Sequence, residues 1–62
     1  MTGEQMVKVF TACGIIAADN GTHVNVKQAD ETFIRMYPAQ WSPEDLKRHL
    51  IARGAKPINK GV

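Results

Sequence analysis

The chain has 62 residues, of which 44% are hydrophobic and 23% charged, and it carries a net charge of +2 at pH 7. This length and composition are typical of one folded domain, and they exclude a multidomain protein or a disordered one. Cys13 is the single cysteine, which excludes an internal disulfide, and no apolar run approaches the ~20 residues that a membrane-spanning helix needs.

The first predicted helix covers residues 3–19. Its apolar side chains recur at the i, i+3, i+4 and i+7 spacing of a helix that buries one face: Met6, Val9, Phe10, Cys13, Ile16 and Ala17. Asn20-Gly21 then supplies the left-handed conformation in which helices end. The same dipeptide is the favoured turn of a β-hairpin, in which case Gly14 would end a shorter helix and residues 15–18 would form a strand. Because the Ala-Ala-Asp sequence before the turn is poor strand material, we favour the single helix.

The second predicted helix covers residues 26–37 and follows Asn25, an N-cap residue whose capping-box partner is Gln28. One face is apolar and is expected in the core: Val26, Ala29, Phe33, Met36 and Tyr37. The opposite face carries a charge ladder at i, i+4 spacing, which is typical of a solvent-exposed side: Lys27, Glu31 and Arg35. Pro38 ends the helix, and residues 22–26 just before it could form one short strand.

The third predicted helix, residues 43–53, has the clearest boundaries. Ser42 is its N-cap, Pro43 fits its first position and Gly54 ends it. Trp41 and Leu46 occupy the two positions of a hydrophobic staple. The seam expected to face the core consists of Leu46, Leu50 and Ile51. Residues 55–62 follow as an extended basic tail.

Together these elements predict a mostly α fold, a single small three-helix domain spanning residues 1–62. A domain near 60 residues buries only about 60% of the surface that its unfolded chain exposes, so its stability is marginal. With no disulfide available, self-association is a common remaining way to stabilise a small domain, which makes a homodimer plausible. The lone cysteine and the lack of a basic, apolar leader predict a cytoplasmic protein.

The charges are distributed unevenly along the chain. Up to Asp45 there are six acidic and three basic side chains, whereas from Lys47 onward all five charged side chains are basic. Such a basic end is the electrostatic footprint expected of a nucleic-acid-binding surface, although cations near a helix C-terminus also favour the macrodipole. The leading prediction is therefore DNA binding through the last helix and the tail, by Lys47, Arg48, Arg53, Lys56 and Lys60.

The last helix is a poor match to a base-reading recognition helix. Its basic groups surround the apolar seam instead of forming one outward stripe, and the YPAQWS connection before it is longer than the usual turn of about 3–4 residues in a helix-turn-helix. We therefore expect contacts to phosphates, which give salt-sensitive binding, more than contacts to bases.

A protein partner is the alternative. The same basic end suits an acidic protein surface, with Tyr37 and Trp41 as anchors, because aromatic side chains are common at the energetic centres of interfaces. The chain would then be an inhibitor, an antitoxin-like factor or an accessory protein of a phage or other mobile element. In either case we expect a regulatory binding module and not an enzyme, since Cys13 lies on an apolar helix face. Neither a cofactor nor a metal is expected, because Cys13, His23 and His49 lack the spacing of metal ligands.

Overall fold

The computed structural model describes residues 1–54, and it contradicts the three-helix prediction. These residues form two helices and a three-stranded antiparallel sheet: α1 (Gly3–Ala12), β1 (Ala17–Asp19), β2 (Val24–Lys27), β3 (Phe33–Met36), a 3-10 turn (Pro38–Gln40) and α2 (Pro43–Ala52). The strand order is β1-β2-β3, so strands that follow one another in the chain are also neighbours in the sheet. The predicted tail, residues 55–62, lies outside the described residues.

The first helix is shorter than predicted, ending at Ala12 and not at Asp19. It begins with a capping box, in which Thr2 Oγ1 accepts from the Gln5 N–H and Gln5 Oε1 accepts from the Thr2 N–H. It ends because Gly14 takes a left-handed conformation, with φ at 76°. The apolar spacing that suggested a longer helix is equally compatible with a strand, in which Ile16 points outward and its neighbours point inward.

Residues 17–27 form the hairpin that the sequence analysis set aside. Ala17 pairs with Val26 and Asp19 with Val24. The Asn20 N–H donates to the His23 carbonyl across the turn, and Asp19 Oδ1 accepts from the Gly21 N–H. The poor strand propensity of residues 17–19 is overridden by their pairing with β2, since strand propensity depends on context.

The second predicted helix, residues 26–37, is wrong: this segment is the hairpin of β2 and β3. Val24 pairs with Met36 and Val26 with Ile34. In the turn between them, the Gln28 N–H donates to the Thr32 carbonyl, and Glu31 takes a positive φ of 72° that is uncommon for a residue with a side chain. Hydrogen bonds within this turn compete with a helix for the backbone.

The core lies between one face of the sheet and both helices. It consists of seven buried apolar side chains: Met6, Phe10, Val24, Val26, Met36, Leu46 and Leu50. α1 packs against β1 and β2, and α2 packs against α1. The α-amino group of Met1 donates to the carbonyls of Pro38 and Trp41, so the start of α1 is tied to the connection before α2. The other face of the sheet is not covered by these helices.

The third predicted helix is found at Pro43–Ala52, and Ser42 is its N-cap, with Oγ accepting from the Asp45 N–H. The predicted seam is wrong in one position. Leu46 and Leu50 are buried, but Ile51 is 65% exposed. At about 100° per residue Ile51 lies well away from Leu46 on the helix surface, outside the narrow strip that contacts α1. Within residues 1–54, neither helix is long and apolar enough to cross a membrane.

Leu50 and Ile51 allow the observed packing of α2 to be tested with adjacent residues. We expect Leu50→Ala to lower the free energy of unfolding by about 2–5 kcal/mol, because it leaves a cavity in the core. Ile51→Ala should change it by less than about 0.5 kcal/mol, since this side chain is mostly in solvent. Urea denaturation of both variants beside the parent chain measures this, and equal losses would contradict the packing described.

The start of α1 and the end of β1 are in close contact. A Cβ atom placed on Gly3 would lie 2.5 Å from Asp19 Oδ1, so the carboxylate can lie over the first turn of α1 only because residue 3 is glycine. The first turn of a helix carries unpaired N–H groups and a partial positive charge, which suits a carboxylate at this place.

We therefore expect Gly3→Ala to change the free energy of unfolding by roughly −1 to 0 kcal/mol, although alanine is the better helix former, because the displaced carboxylate loses its hydrogen bond from Gly21 and this loss offsets the helix gain. In an Asp19→Ala background the same substitution should be neutral or stabilising by up to ~1 kcal/mol. A double-mutant cycle by chemical denaturation measures the difference. If Gly3→Ala has the same effect in both backgrounds, the contact is not the reason for the glycine.

Candidate functional site

The side of the sheet that residues 1–54 leave uncovered is the candidate site, and we call it the open sheet face. Strand residues alternate between the two faces, so the residues next in sequence to the buried Val24, Val26 and Met36 point away from the helices. The outward residues in and beside the strands are Ile16, Ala18, His23, Asn25, Lys27, Phe33, Arg35 and Tyr37.

Two aromatic rings stand on this face along β3. Phe33 is 58% exposed and Tyr37 is 42% exposed. They are four residues apart on one extended segment, which separates them by about 13 Å at the rise of a strand. The Tyr37 ring lies 6.0 Å from the ring of His23, centroid to centroid, so the residue that precedes β2 covers it on one side.

The open sheet face carries two cations and no carboxylate among its outward residues. Lys27 lies directly across from Phe33, and Arg35 lies across from Asn25, between the two aromatic rings. Lys27 and Arg35 are diagonal neighbours, a relation that brings Cβ atoms within about 7–8 Å. The ion pairs within residues 1–54 are Lys8–Glu4 and Arg48–Asp45, both on helices, so the two cations of the sheet have no acidic partner in this part of the chain.

In the turn between β2 and β3, the carboxylate of Asp30 is bound by hydrogen bonds within the turn. Asp30 Oδ1 accepts from the Thr32 N–H at 3.0 Å and from the Thr32 hydroxyl at 2.6 Å. These two hydrogen bonds, the hydroxyl first, lower the pKa of the Asp30 carboxyl. The same hydrogen bonds direct the carboxylate into the turn.

The basic residues predicted on the last helix lie on the other side of the molecule from the open sheet face, because α2 packs over the inner face. Lys47, Arg48 and Arg53 are exposed there. Arg48 Nη1 lies 3.3 Å from Asp45 Oδ1, and Glu44 also stands in the first turn, so the helix surface is mixed in charge. Of these residues, Arg53 lines a groove that Lys27 also lines, whereas Lys47 and Arg48 do not line it. Lys56 and Lys60 lie outside the described residues.

The predicted protein-interface pair is also separated. Tyr37 belongs to the open sheet face. Trp41 is half-buried, packs against the core, and meets the ring of His49 edge-on at a centroid distance of 5.1 Å. Tyr37 is thus available to a partner, whereas much of the Trp41 ring already contacts this chain.

The sequence analysis missed Lys27, Phe33 and Arg35 as site residues. It placed Phe33 in the core of a helix and the two cations on the opposite, solvated face. The signal that could have found them is the alternation of Phe33, Arg35 and Tyr37, since residues at i, i+2 and i+4 share one face of a strand. Helical spacing and strand alternation overlap in this segment, and the helical reading took precedence.

A second concave region offers less chemistry. A groove of about 710 Å³ opens between the C-terminal ends of the two helices and the inner side of β2 and β3. Cys13 and His49 both line it, but among residues 1–54 there is no hydrogen bond between their side chains, which a cysteine–histidine nucleophile would use. In the same residues no three His, Cys, Asp or Glu side chains converge as a metal ion requires.

The Asp30 turn yields a pH-dependent expectation. A carboxyl whose pKa is lowered in the folded state stabilises the fold at pH values above its unfolded pKa, and this contribution is lost as pH falls through the folded pKa. Thr32→Val removes the hydroxyl donor, so the pKa of Asp30 should rise toward its ordinary value. An NMR titration of the Asp30 carboxyl in the parent chain and in the variant measures the change. An unaltered pKa would show that the Thr32 hydroxyl is not what lowers the pKa of Asp30.

The candidate site is defined by the residues of this chain alone. No protein-family model matches the chain, and no curated protein and no solved structure is detectably similar to it. Among residues 1–54, the open sheet face is where exposed aromatic rings and unpaired cations occur side by side.

Proposed function

We propose that this chain is a small non-enzymatic binding module whose partner is nucleic acid, acting in a regulatory role in the cytoplasm. The observation that carries the proposal is the composition of the open sheet face, where Lys27 and Arg35 stand beside Phe33 and Tyr37 without a carboxylate among them. Lysine and arginine neutralise phosphates, and aromatic rings stack on bases, so the two components match the two parts of a nucleotide.

The basic C-terminal segment also favours nucleic acid as the partner, without forming the primary contacts. Lys47 and Arg48 on α2 and Arg53 at its C-cap are followed in the sequence by Lys56 and Lys60. A concentration of positive charge attracts a polyanion and raises its rate of association, even where the cations do not form the final contacts. We therefore assign the primary contacts to the sheet and a steering role to the C-terminal cations.

An acidic protein surface is the competing partner. Tyr37, Phe33 and Arg35 are of the residue types that contribute most to protein interfaces. A flat acidic surface would pair with the two cations, but it would use the rings only as apolar area. Nucleic acid uses both the cations and the faces of the rings, which is why we favour it.

The proposal is tested by titrating a short, labelled, mixed-sequence DNA strand into the purified chain at low and at moderate salt. We expect binding that weakens steeply with salt. The protein displaces salt cations from the phosphates when it binds, and a higher salt concentration favours the return of these cations. Lys27→Ala and Arg35→Ala should each weaken binding by roughly 2–5-fold, the scale of an exposed charge pair, and lower the salt slope by about 1.

Lys8→Ala is the matched control, since it removes one positive charge from α1, where Lys8 already pairs with Glu4. It should bind like the parent chain. No binding at low salt would overturn the proposal. If Lys47→Ala and Arg48→Ala weakened binding while the two sheet variants did not, the contact would belong to α2 and not to the sheet.

A further inference from the structure

We infer that the open sheet face selects a single, unpaired strand over a duplex, with Phe33 and Tyr37 each stacking on one base. This inference rests on the proposed function and narrows it to one class of nucleic acid. It also assigns a binding role to the two rings, which are not part of the core formed by residues 1–54.

The exposure of the rings favours a partner that offers flat, unpaired bases. Phe33 and Tyr37 are large apolar side chains, yet Phe33 is 58% exposed to solvent and Tyr37 is 42% exposed. In a duplex each base is stacked on its neighbours and its faces are not available. In a single strand every base has an exposed face, and stacking on an aromatic ring is tolerant of sequence for that reason.

The spacing of the two rings also favours a single strand over a duplex. They are about 13 Å apart along β3, whereas stacked neighbours along one strand of a duplex are about 3.4 Å apart. Adjacent stacked bases therefore cannot reach both rings. An extended strand whose bases are unstacked can place one base on each ring and leave the intervening part above Arg35.

The cations are placed to hold the backbone of such a strand. Lys27 stands across from Phe33, and Arg35 lies between Phe33 and Tyr37 on the same strand. Each ring thus has a positive charge one neighbour away, where a phosphate next to the stacked base would lie. The face is also too broad for the major groove of a duplex, which admits an α-helix or a two-stranded ribbon, while this sheet has three strands.

A second copy of the chain fits this face less well. In a symmetric dimer the same patch meets itself, so Lys27 and Arg35 of one copy would approach Lys27 and Arg35 of the other. The outward residues of the strands include no carboxylate to offset that repulsion. The charge of the face therefore favours an anionic partner over self-association.

The experiment compares three labelled ligands at one salt concentration with the full chain: a short mixed-sequence DNA strand, the RNA strand of the same sequence, and the DNA strand annealed to its complement. Binding is followed by fluorescence anisotropy. We expect either single strand to bind at least about tenfold more tightly than the duplex. Phe33→Ala and Tyr37→Ala should each weaken single-strand binding by about 5- to 150-fold, the range for one base stacked on one ring.

Two control variants separate stacking from other effects. Tyr37→Phe keeps the ring and should keep the affinity. Ile51→Ala removes an apolar side chain of α2 that is more exposed than either ring, and it should leave binding unchanged. Phe33 and Tyr37 are outside the core but partly covered by neighbouring residues, so their variants should stay folded with only a small shift in the denaturation midpoint, which is measured alongside.

The outcomes distinguish the inference from the function on which it rests. If no nucleic acid binds at low salt, both are overturned. If strand and duplex bind equally, or if the ring variants bind like the parent while Lys27→Ala and Arg35→Ala still weaken binding, nucleic-acid binding stands and the stacking inference is overturned. Binding of poly-glutamate as tight as that of the single strand would also overturn it, since that polymer has charge but no bases.

Discussion

The register of β2 is the constraint on which both the core and the candidate site depend. Val24 and Val26 are buried beneath the helices because they pair with Met36 and Ile34, and the same register turns Asn25 and Lys27 to the other side. A slip of one residue would exchange the two faces, taking the valines into water and a lysine into the core. The folding of this chain and the display of its binding residues are thus decided by one set of strand pairs.

Local signals account for the part of the fold that could be predicted. α2 was found because Ser42, Pro43 and Gly54 mark a helix wherever they occur in this order, without reference to the rest of the chain. The strands could not be found in this way. The spacing of Val26, Phe33 and Met36 fits a helix as well as two strands, and the choice is made by pairing between segments that the sequence alone does not place together.

The same limit applies to the candidate site. The basic run from Lys47 onward is visible in the sequence because its members are close in the chain. Lys27 and Phe33 are six residues apart and become direct neighbours only when β2 and β3 pair. Ile51 illustrates the converse error, since its position beside Leu50 suggested a core residue, and only the narrow contact between α1 and α2 leaves it in solvent.

The core of this domain is small, and yet Phe33 and Tyr37 are not part of it. A chain with seven buried apolar side chains would gain stability from burying two more rings. Both rings instead stand on the face of the sheet opposite the core and remain largely exposed. Exposed apolar surface of this kind, edged by polar groups, is characteristic of binding surfaces.

The packing of α1 on α2 also has a consequence for how the chain reaches its folded state. The two hairpins are local and can close within a few residues of their turns, but the first helix finds its main helical partner only in the last described element. During synthesis, when the N-terminal part of a chain appears first, Met6 and Phe10 can pack against the sheet, but their surface is fully covered only once Leu46 and Leu50 are present. The domain is therefore expected to fold in one cooperative step after its end has emerged, and not by stages along the chain.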